Sequence, residues 1–85
     1  IVDKLQAFGL HTIAVDGHDF DALEAAFAEA RTVKGQPTAI VMTTTKGKGV
    51  SFMENNAGWH GKATNPAEYE IAMGGLKAAL AELEA

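Results

Sequence analysis

The sequence contains no cysteine, which excludes a disulfide framework and a thiolate metal site. It is also poor in basic residues, because 7 Lys and Arg stand against 11 Asp and Glu and leave a net charge of −4. This balance argues against nucleic acid or an acidic membrane as the main partner. No apolar run is long enough to cross a bilayer. What remains is a globular chain, since hydrophobic residues make up 47% of the sequence.

The 85 residues have the size of one small domain, which buries a modest fraction of its surface. The chain lacks an initiator methionine and opens inside a helical pattern that Gly9 ends. We therefore expect residues 1–85 to be a single partial domain and a piece of something larger.

Residues 11–45 follow the pattern of two strands joined by a helix. Residues 11–15 are rich in β-branched side chains and predict a strand, with His11 as its first residue and no chemical role expected for it. Residues 38–45 predict a second strand, whose apolar run 39–42 suggests cover on both faces. The expected fold class is therefore α/β, a βαβ unit of a parallel sheet flanked by helices.

Two helices complete the predicted elements. Asp19 is a suitable N-cap for the crossover helix, which should end near Gly35. Its apolar stripe, expected to pack on the sheet, comprises Phe20, Leu23, Phe27 and Ala30. Asn65, Pro66 and Glu68 predict the capping box of the last helix. The apolar stripe of that helix comprises Tyr69, Ala72, Met73, Leu76, Leu80 and Leu83.

Parallel pairing also predicts where a ligand would bind. Ligands of open parallel sheets sit beyond the carboxyl ends of the strands. The predicted strands lead into the polar segments 16–18 and 46–49, which should lie on the same edge of the sheet, and the long loop can bring His60 back to it. Two strands and three helices cannot cover both faces of a parallel pair well, so we expect further strands from a partner chain or from sequence outside this chain.

Residues 46–61 have no regular periodicity, and a structureless segment of this length is often a functional loop. Gly47 and Gly49 would let backbone N–H groups approach an anion, and Lys46 and Lys48 add positive charge. This pattern permits a phosphate site. It does not match the phosphate-loop motif, however, and taken alone it favours a flexible turn with solvated lysines.

His60 follows the only tryptophan, Trp59, and permits two interpretations. It could act as an acid–base group or as a hydrogen-bond donor to phosphate, or it could simply pack under Trp59. Asp16, His18 and Asp19 could suggest a metal site, but a strand-end turn followed by an N-cap explains them fully.

Taken together, the motifs of the chain resemble transketolase, and specifically the split kind whose first subunit carries only the diphosphate-binding domain. The segments that carry the resemblance are 15–19 (Val-Asp-Gly-His-Asp), 35–38 (Gly-Gln-Pro-Thr), 45–50 (Thr-Lys-Gly-Lys-Gly-Val), 54–56 (Glu-Asn-Asn) and 59–62 (Trp-His-Gly-Lys). They cover nearly the whole chain in order. Related 1-deoxyxylulose-5-phosphate synthases share several of them, but the Phe-Met-Glu-Asn-Asn stretch at 52–56 favours transketolase.

The resemblance implies a fragment of a thiamine-diphosphate-binding fold from a cytoplasmic enzyme that transfers a two-carbon ketol unit between sugar phosphates. It implies thiamine diphosphate and Mg²⁺ as cofactors. His60 matches the family's histidine beside the diphosphate and the donor sugar, so it is the expected catalytic and cofactor-binding residue. Lys46, Gly47, Lys48 and Gly49 match a loop near that site and are the other expected cofactor-binding residues.

The family's Gly-Asp-Gly metal segment and its pyrimidine-binding domain are absent from this sequence. We therefore expect no metal ligands here, a partner subunit that carries the missing domain, a homo-oligomer, no contact with nucleic acid or membrane, and no activity from residues 1–85 alone. Three alternatives stay open: a fragment of a 1-deoxyxylulose-5-phosphate synthase-like enzyme, a stand-alone phosphate-binding module, and a non-catalytic interaction module.

Overall fold

The computed structural model describes residues 1–85 and contains two compact units, Ile1–Thr44 and Thr45–Ala85. The first unit consists of α1 (Val2–Ala7), β1 (His11–Asp16), α2 (Phe20–Thr32) and β2 (Thr38–Thr43). The second consists of a long loop with one turn of 3-10 helix (Ala57–Trp59), followed by α3 (Pro66–Glu84). No helix combines the length and apolar character that crossing a membrane requires.

The two strands of the first unit pair in parallel, in register from His11 opposite Thr38 to Asp16 opposite Thr43. The pairing continues one residue further, since the Gly17 N–H donates to the Thr43 carbonyl at 2.8 Å. Helices α1 and α2 both contact β1. The predicted α/β fold with a parallel βαβ unit is confirmed, and the carboxyl ends of both strands lie at one edge of the sheet.

The turn after β1 is built from side-chain hydrogen bonds to the backbone. Asp16 Oδ1 accepts from the His18 N–H at 2.9 Å, and Asp19 Oδ1 caps α2 by accepting from the Ala22 N–H at 3.1 Å. Gly17 is required here, because a Cβ at this position would lie 2.6 Å from Thr44 Cγ2. The interpretation of this segment as a turn plus N-cap is confirmed.

His11 has a partner that the sequence did not reveal. Its Nε2 lies 2.6 Å from Glu29 Oε2, so the bond joins the first residue of β1 to α2. His11 is the first residue of β1, as predicted, and its contact with Glu29 is a structural one. Both side chains are partly exposed to water. The contribution of such a pair to the free energy of unfolding is therefore about 1 kcal/mol or less.

The face that α2 buries differs from the predicted stripe. Ala26 is the one buried residue of the chain, at 3% exposure. The least exposed positions of α2 are Ala22, Leu23, Ala26 and Ala30. Phe20 and Phe27 are 85% and 54% exposed, so their placement on the packed face is wrong. Small alanine side chains let the helix axis approach β1 more closely than phenylalanine rings would.

Helix α3 begins as predicted. Asn65 Oδ1 accepts from the Glu68 N–H at 2.8 Å, while Glu68 Oε1 accepts from the Asn65 N–H at 2.9 Å. These reciprocal bonds form the capping box, with Pro66 as the first helical residue. Of the predicted apolar stripe, only Ala72 and Met73 are even half-buried. The stripe exists in the sequence, but residues 1–85 do not cover it.

Strand β2 is also uncovered. None of its residues is buried and Met42 is 52% exposed, so the cover expected on both faces is not provided by this chain. The expectation that further strands come from elsewhere stays a prediction.

We predict that the isolated chain self-associates, because it exposes Phe20, Phe27 and Met42 beside a two-stranded sheet with unpaired outer edges. Light scattering at high concentration should detect particles larger than a monomer. Replacing both rings (Phe20→Ser with Phe27→Ser) should reduce association at little cost to folding, since both are exposed. Ala25→Ser, at another exposed position of α2, should change nothing. A stable monomer of the unmodified chain would contradict the prediction.

Candidate functional site

The loop of residues 46–61 is ordered by its own hydrogen bonds, so the expectation of a structureless segment is wrong. The Asn55 N–H donates to the Lys46 carbonyl at 2.9 Å and closes the first part of the loop. Asn55 adopts a φ of 58°, a left-handed conformation that asparagine tolerates better than most residues. Asn56 then caps the 3-10 turn, with Oδ1 accepting from the Gly58 N–H at 3.0 Å.

Gly47 is needed for this closure. Its φ is 74°, and a Cβ at this position would lie 2.5 Å from the carbonyl oxygen of Met53. No other residue type can follow Lys46 without displacing the backbone at Met53. The glycine therefore acts by permitting close approach between two parts of the loop.

The backbone N–H groups after Gly47 are used inside the loop. The Lys48 N–H donates to the Thr45 carbonyl at 3.2 Å, and the Val50 N–H donates to the Gly47 carbonyl at 3.1 Å. Between them, the Gly49 N–H donates to the carboxylate of Glu54 at 3.1 Å. An internal anion thus occupies the position that the sequence offered to a phosphate. Lys46 and Lys48, whose side chains are exposed, carry the positive charge of the loop.

Two of the predicted site residues meet in this loop. Lys46 Nζ lies 3.2 Å from His60 Nδ1, although 14 positions separate the two residues. Both residues are exposed, so solvent or a ligand can reach them. Lys46 is fixed through its carbonyl by Asn55, and His60 through its N–H, which donates to the Ala57 carbonyl at 3.1 Å.

Trp59 makes contacts that exclude one interpretation of His60. Its ring packs against Phe52, with centroids 5.3 Å apart and an interplanar angle of 56°. Lys62 Nζ lies 4.4 Å from the centre of the same ring, a cation–π contact. Phe52 and Lys62 therefore contact the Trp59 ring, and His60 is exposed. His60 is not packed under the tryptophan. Phe52 serves packing, as predicted, while the role of Lys62 was missed.

The other predicted features are the possible metal site after β1 and the edge of the sheet. No group of three or more His, Asp or Glu side chains in the chain is arranged to hold a metal ion, and no enclosed pocket is present. Asp16 and Asp19 belong to the turn after β1. The approach of Lys46, Lys48 and His60 to the edge formed by β1 and β2 stays a prediction, because those residues belong to the second unit.

The donor set of the loop suits part of a diphosphate site. Two ammonium groups and an imidazole are the cationic and hydrogen-bonding groups that proteins direct at phosphate oxygens. The chain has no cluster of His, Asp or Glu side chains that could hold a divalent cation beside them. The loop therefore fits the anion of such a cofactor and not its metal.

Comparison with known proteins agrees with this chemistry. A family model described as the thiamine diphosphate binding domain of transketolase matches residues 1–77. The chain is 53% identical over 57 residues to human transketolase-like protein 2 and 48% identical over 59 residues to human transketolase. These alignments cover 67% and 69% of the chain. Mouse transketolase is 49% identical over 59 residues, again 69% of the chain. The chain spans about 9% of the length of each of these curated relatives.

We predict that Gly47→Ala opens the loop, because its methyl group would overlap the Met53 carbonyl and its φ would be strained. Strain of about 1–3 kcal/mol should speed amide hydrogen exchange at Asn55, the donor that closes the loop, by a factor between about 5 and about 150. Gly61→Ala is the matched control, since a Cβ there meets nothing within 4 Å. Equal exchange rates at Asn55 in the two variants would contradict the prediction.

Proposed function

Because this chain belongs to the transketolase thiamine diphosphate-binding domain family, we propose that it is the C-terminal portion of that domain in a transketolase, which transfers a two-carbon ketol unit between sugar phosphates. The match to the family model over residues 1–77 supports the assignment. The structural observation that carries it is the exposed Lys46–His60 pair, 3.2 Å apart on a loop that its own hydrogen bonds hold in shape.

Thiamine diphosphate supplies the carbanion-stabilising chemistry of such an enzyme. In this proposal, Lys46 and Lys48 direct their ammonium groups toward the negative charge of the diphosphate, and His60 donates from its ring. Gly47 and Gly49 contribute through the shape of the loop, since Gly47 allows its close approach and the Gly49 N–H is bound to Glu54. His60 is the proposed catalytic residue, because its exposed ring can reach a substrate hydroxyl.

The magnesium ion of the proposed enzyme would be held by residues outside this chain. Mg²⁺ takes oxygen ligands, mostly carboxylates, phosphates and water. Residues 1–85 supply lysines and a histidine at the loop but no ligand cluster. We also propose a partner subunit that carries the pyrimidine-binding domain, and assembly into a homo-oligomer. The exposed apolar residues of α2, β2 and α3 support a larger assembly, because exposed apolar patches usually mark surfaces that bind another chain.

We predict that His60→Ala lowers ketol transfer in the assembled enzyme by about two to four orders of magnitude, the usual effect of removing a general acid–base group. The melting temperature should change little, because the ring is exposed and Trp59 packs on Phe52 instead. His11→Ala is the matched control, since the ring it removes bonds to Glu29 between β1 and α2, and turnover should stay near normal. Near-normal turnover of His60→Ala with a lowered melting temperature would remove the catalytic assignment.

A second prediction concerns the cofactor. The isolated chain should bind thiamine diphosphate weakly or not at all, because a diphosphate is anchored largely through its cation and the chain has no ligand cluster for one. Calorimetry with thiamine diphosphate and Mg²⁺ should give no measurable heat with residues 1–85, whereas the assembled enzyme should bind under the same conditions. Magnesium-dependent micromolar binding to the isolated chain would contradict the prediction and place metal ligands within it.

A further inference from the structure

We infer that Lys46 is a positioning residue that determines which nitrogen of His60 carries the ring hydrogen. The inference starts from the contact between Lys46 Nζ and His60 Nδ1, at 3.2 Å. It deepens the proposed function, because its consequence for ketol transfer rests on His60 being the catalytic group. The hydrogen-bonding argument itself holds whether or not the chain belongs to an active enzyme.

The chemistry of the two groups decides the direction of the bond. A lysine ammonium has three N–H donors and no acceptor, so the imidazole nitrogen that it contacts has to accept. A nitrogen that accepts carries no hydrogen, and the hydrogen of the neutral ring is then on Nε2. Lys46 therefore selects the Nε2–H form of His60 and leaves that N–H directed away from the pair.

The loop prevents the pair from drifting apart. The backbone of Lys46 is held by the bond from the Asn55 N–H to its carbonyl, at 2.9 Å. The backbone of His60 is held by its own N–H on the Ala57 carbonyl and by the neighbouring Trp59, which packs on Phe52. Because both backbones are fixed, only the two side chains have to be ordered to make the contact.

This assignment separates the two roles that the sequence left open for His60. With Nδ1 engaged by Lys46 and a hydrogen on Nε2, the ring faces outward as a donor, so within the proposed acid–base role it is the group that gives a proton and not the one that takes it. In the proposed site it acts as a donor to an anionic oxygen or a substrate hydroxyl. His11 offers a comparison within the chain, because its Nε2 faces the carboxylate of Glu29 and no lysine is involved.

The test uses ring-¹⁵N-labelled chain and nitrogen-detected two-bond spectra in mildly alkaline buffer, above the reference pKa of free histidine, about 6.5. The chain has only 3 histidines, and His60→Ala assigns the relevant signals. In Lys46→Met, the ratio of the Nε2–H form to the Nδ1–H form of His60 should fall about fivefold, equivalent to ~1 kcal/mol. Lys46→Arg keeps a donor and should restore most of the ratio.

Two controls accompany the variants. Lys77→Met removes an exposed lysine of α3 and should leave the His60 ratio unchanged. The His11 ring should keep its ratio in every variant, because its partner is Glu29. The inference is overturned if Lys46→Met leaves the His60 ratio as it was, or if the unmodified chain shows the same ratio as free histidine. Near-normal turnover of His60→Ala in the assembled enzyme, with the tautomer shift intact, would instead reject the proposed function alone.

Discussion

Parallel pairing of β1 with β2 is the constraint on which the first unit depends. Parallel strands cannot be joined by a tight turn, so the chain needs the α2 crossover, and both faces of such a sheet have to be covered. Here α1 and α2 contact β1, while β2 has no buried residue and Ala26 alone is buried in the whole chain. The backbone is thus organised for a layered α/β domain whose apolar surface exceeds what these residues can cover.

Features that depend on neighbours in the sequence could be predicted from it. Asp19 caps α2 and the Asn65–Glu68 capping box starts α3, because the donors these side chains satisfy lie only three residues away. The strands also followed from their composition. Packing faces could not be predicted with the same accuracy, since hydrophobicity placed Phe20 and Phe27 on the buried face, whereas three of the four least exposed positions of α2 are alanines.

The candidate site also has a part that could be predicted from the sequence and a part that could not. Its residues Lys46 and His60 came from the family pattern, but their contact at 3.2 Å could not be predicted, because it depends on turns that hydrophobic periodicity does not report. Local signals for those turns were present. Asn55 at a left-handed position and Asn56 as a cap are both residues that favour turns, and together they indicated an ordered loop.

The Glu54 carboxylate on the Gly49 N–H changes how this loop can discriminate between ligands. Free backbone N–H groups in fixed positions would favour an anion of one shape. Lysine ammonium groups are point charges on flexible side chains and do not select for shape in this way. With the amides of Lys48, Gly49 and Val50 already engaged, the loop offers an anion the ammonium groups of its lysines and the one ring that Lys46 orients. In the proposed site, this loop would select a ligand by its charge and tolerate variation in its shape.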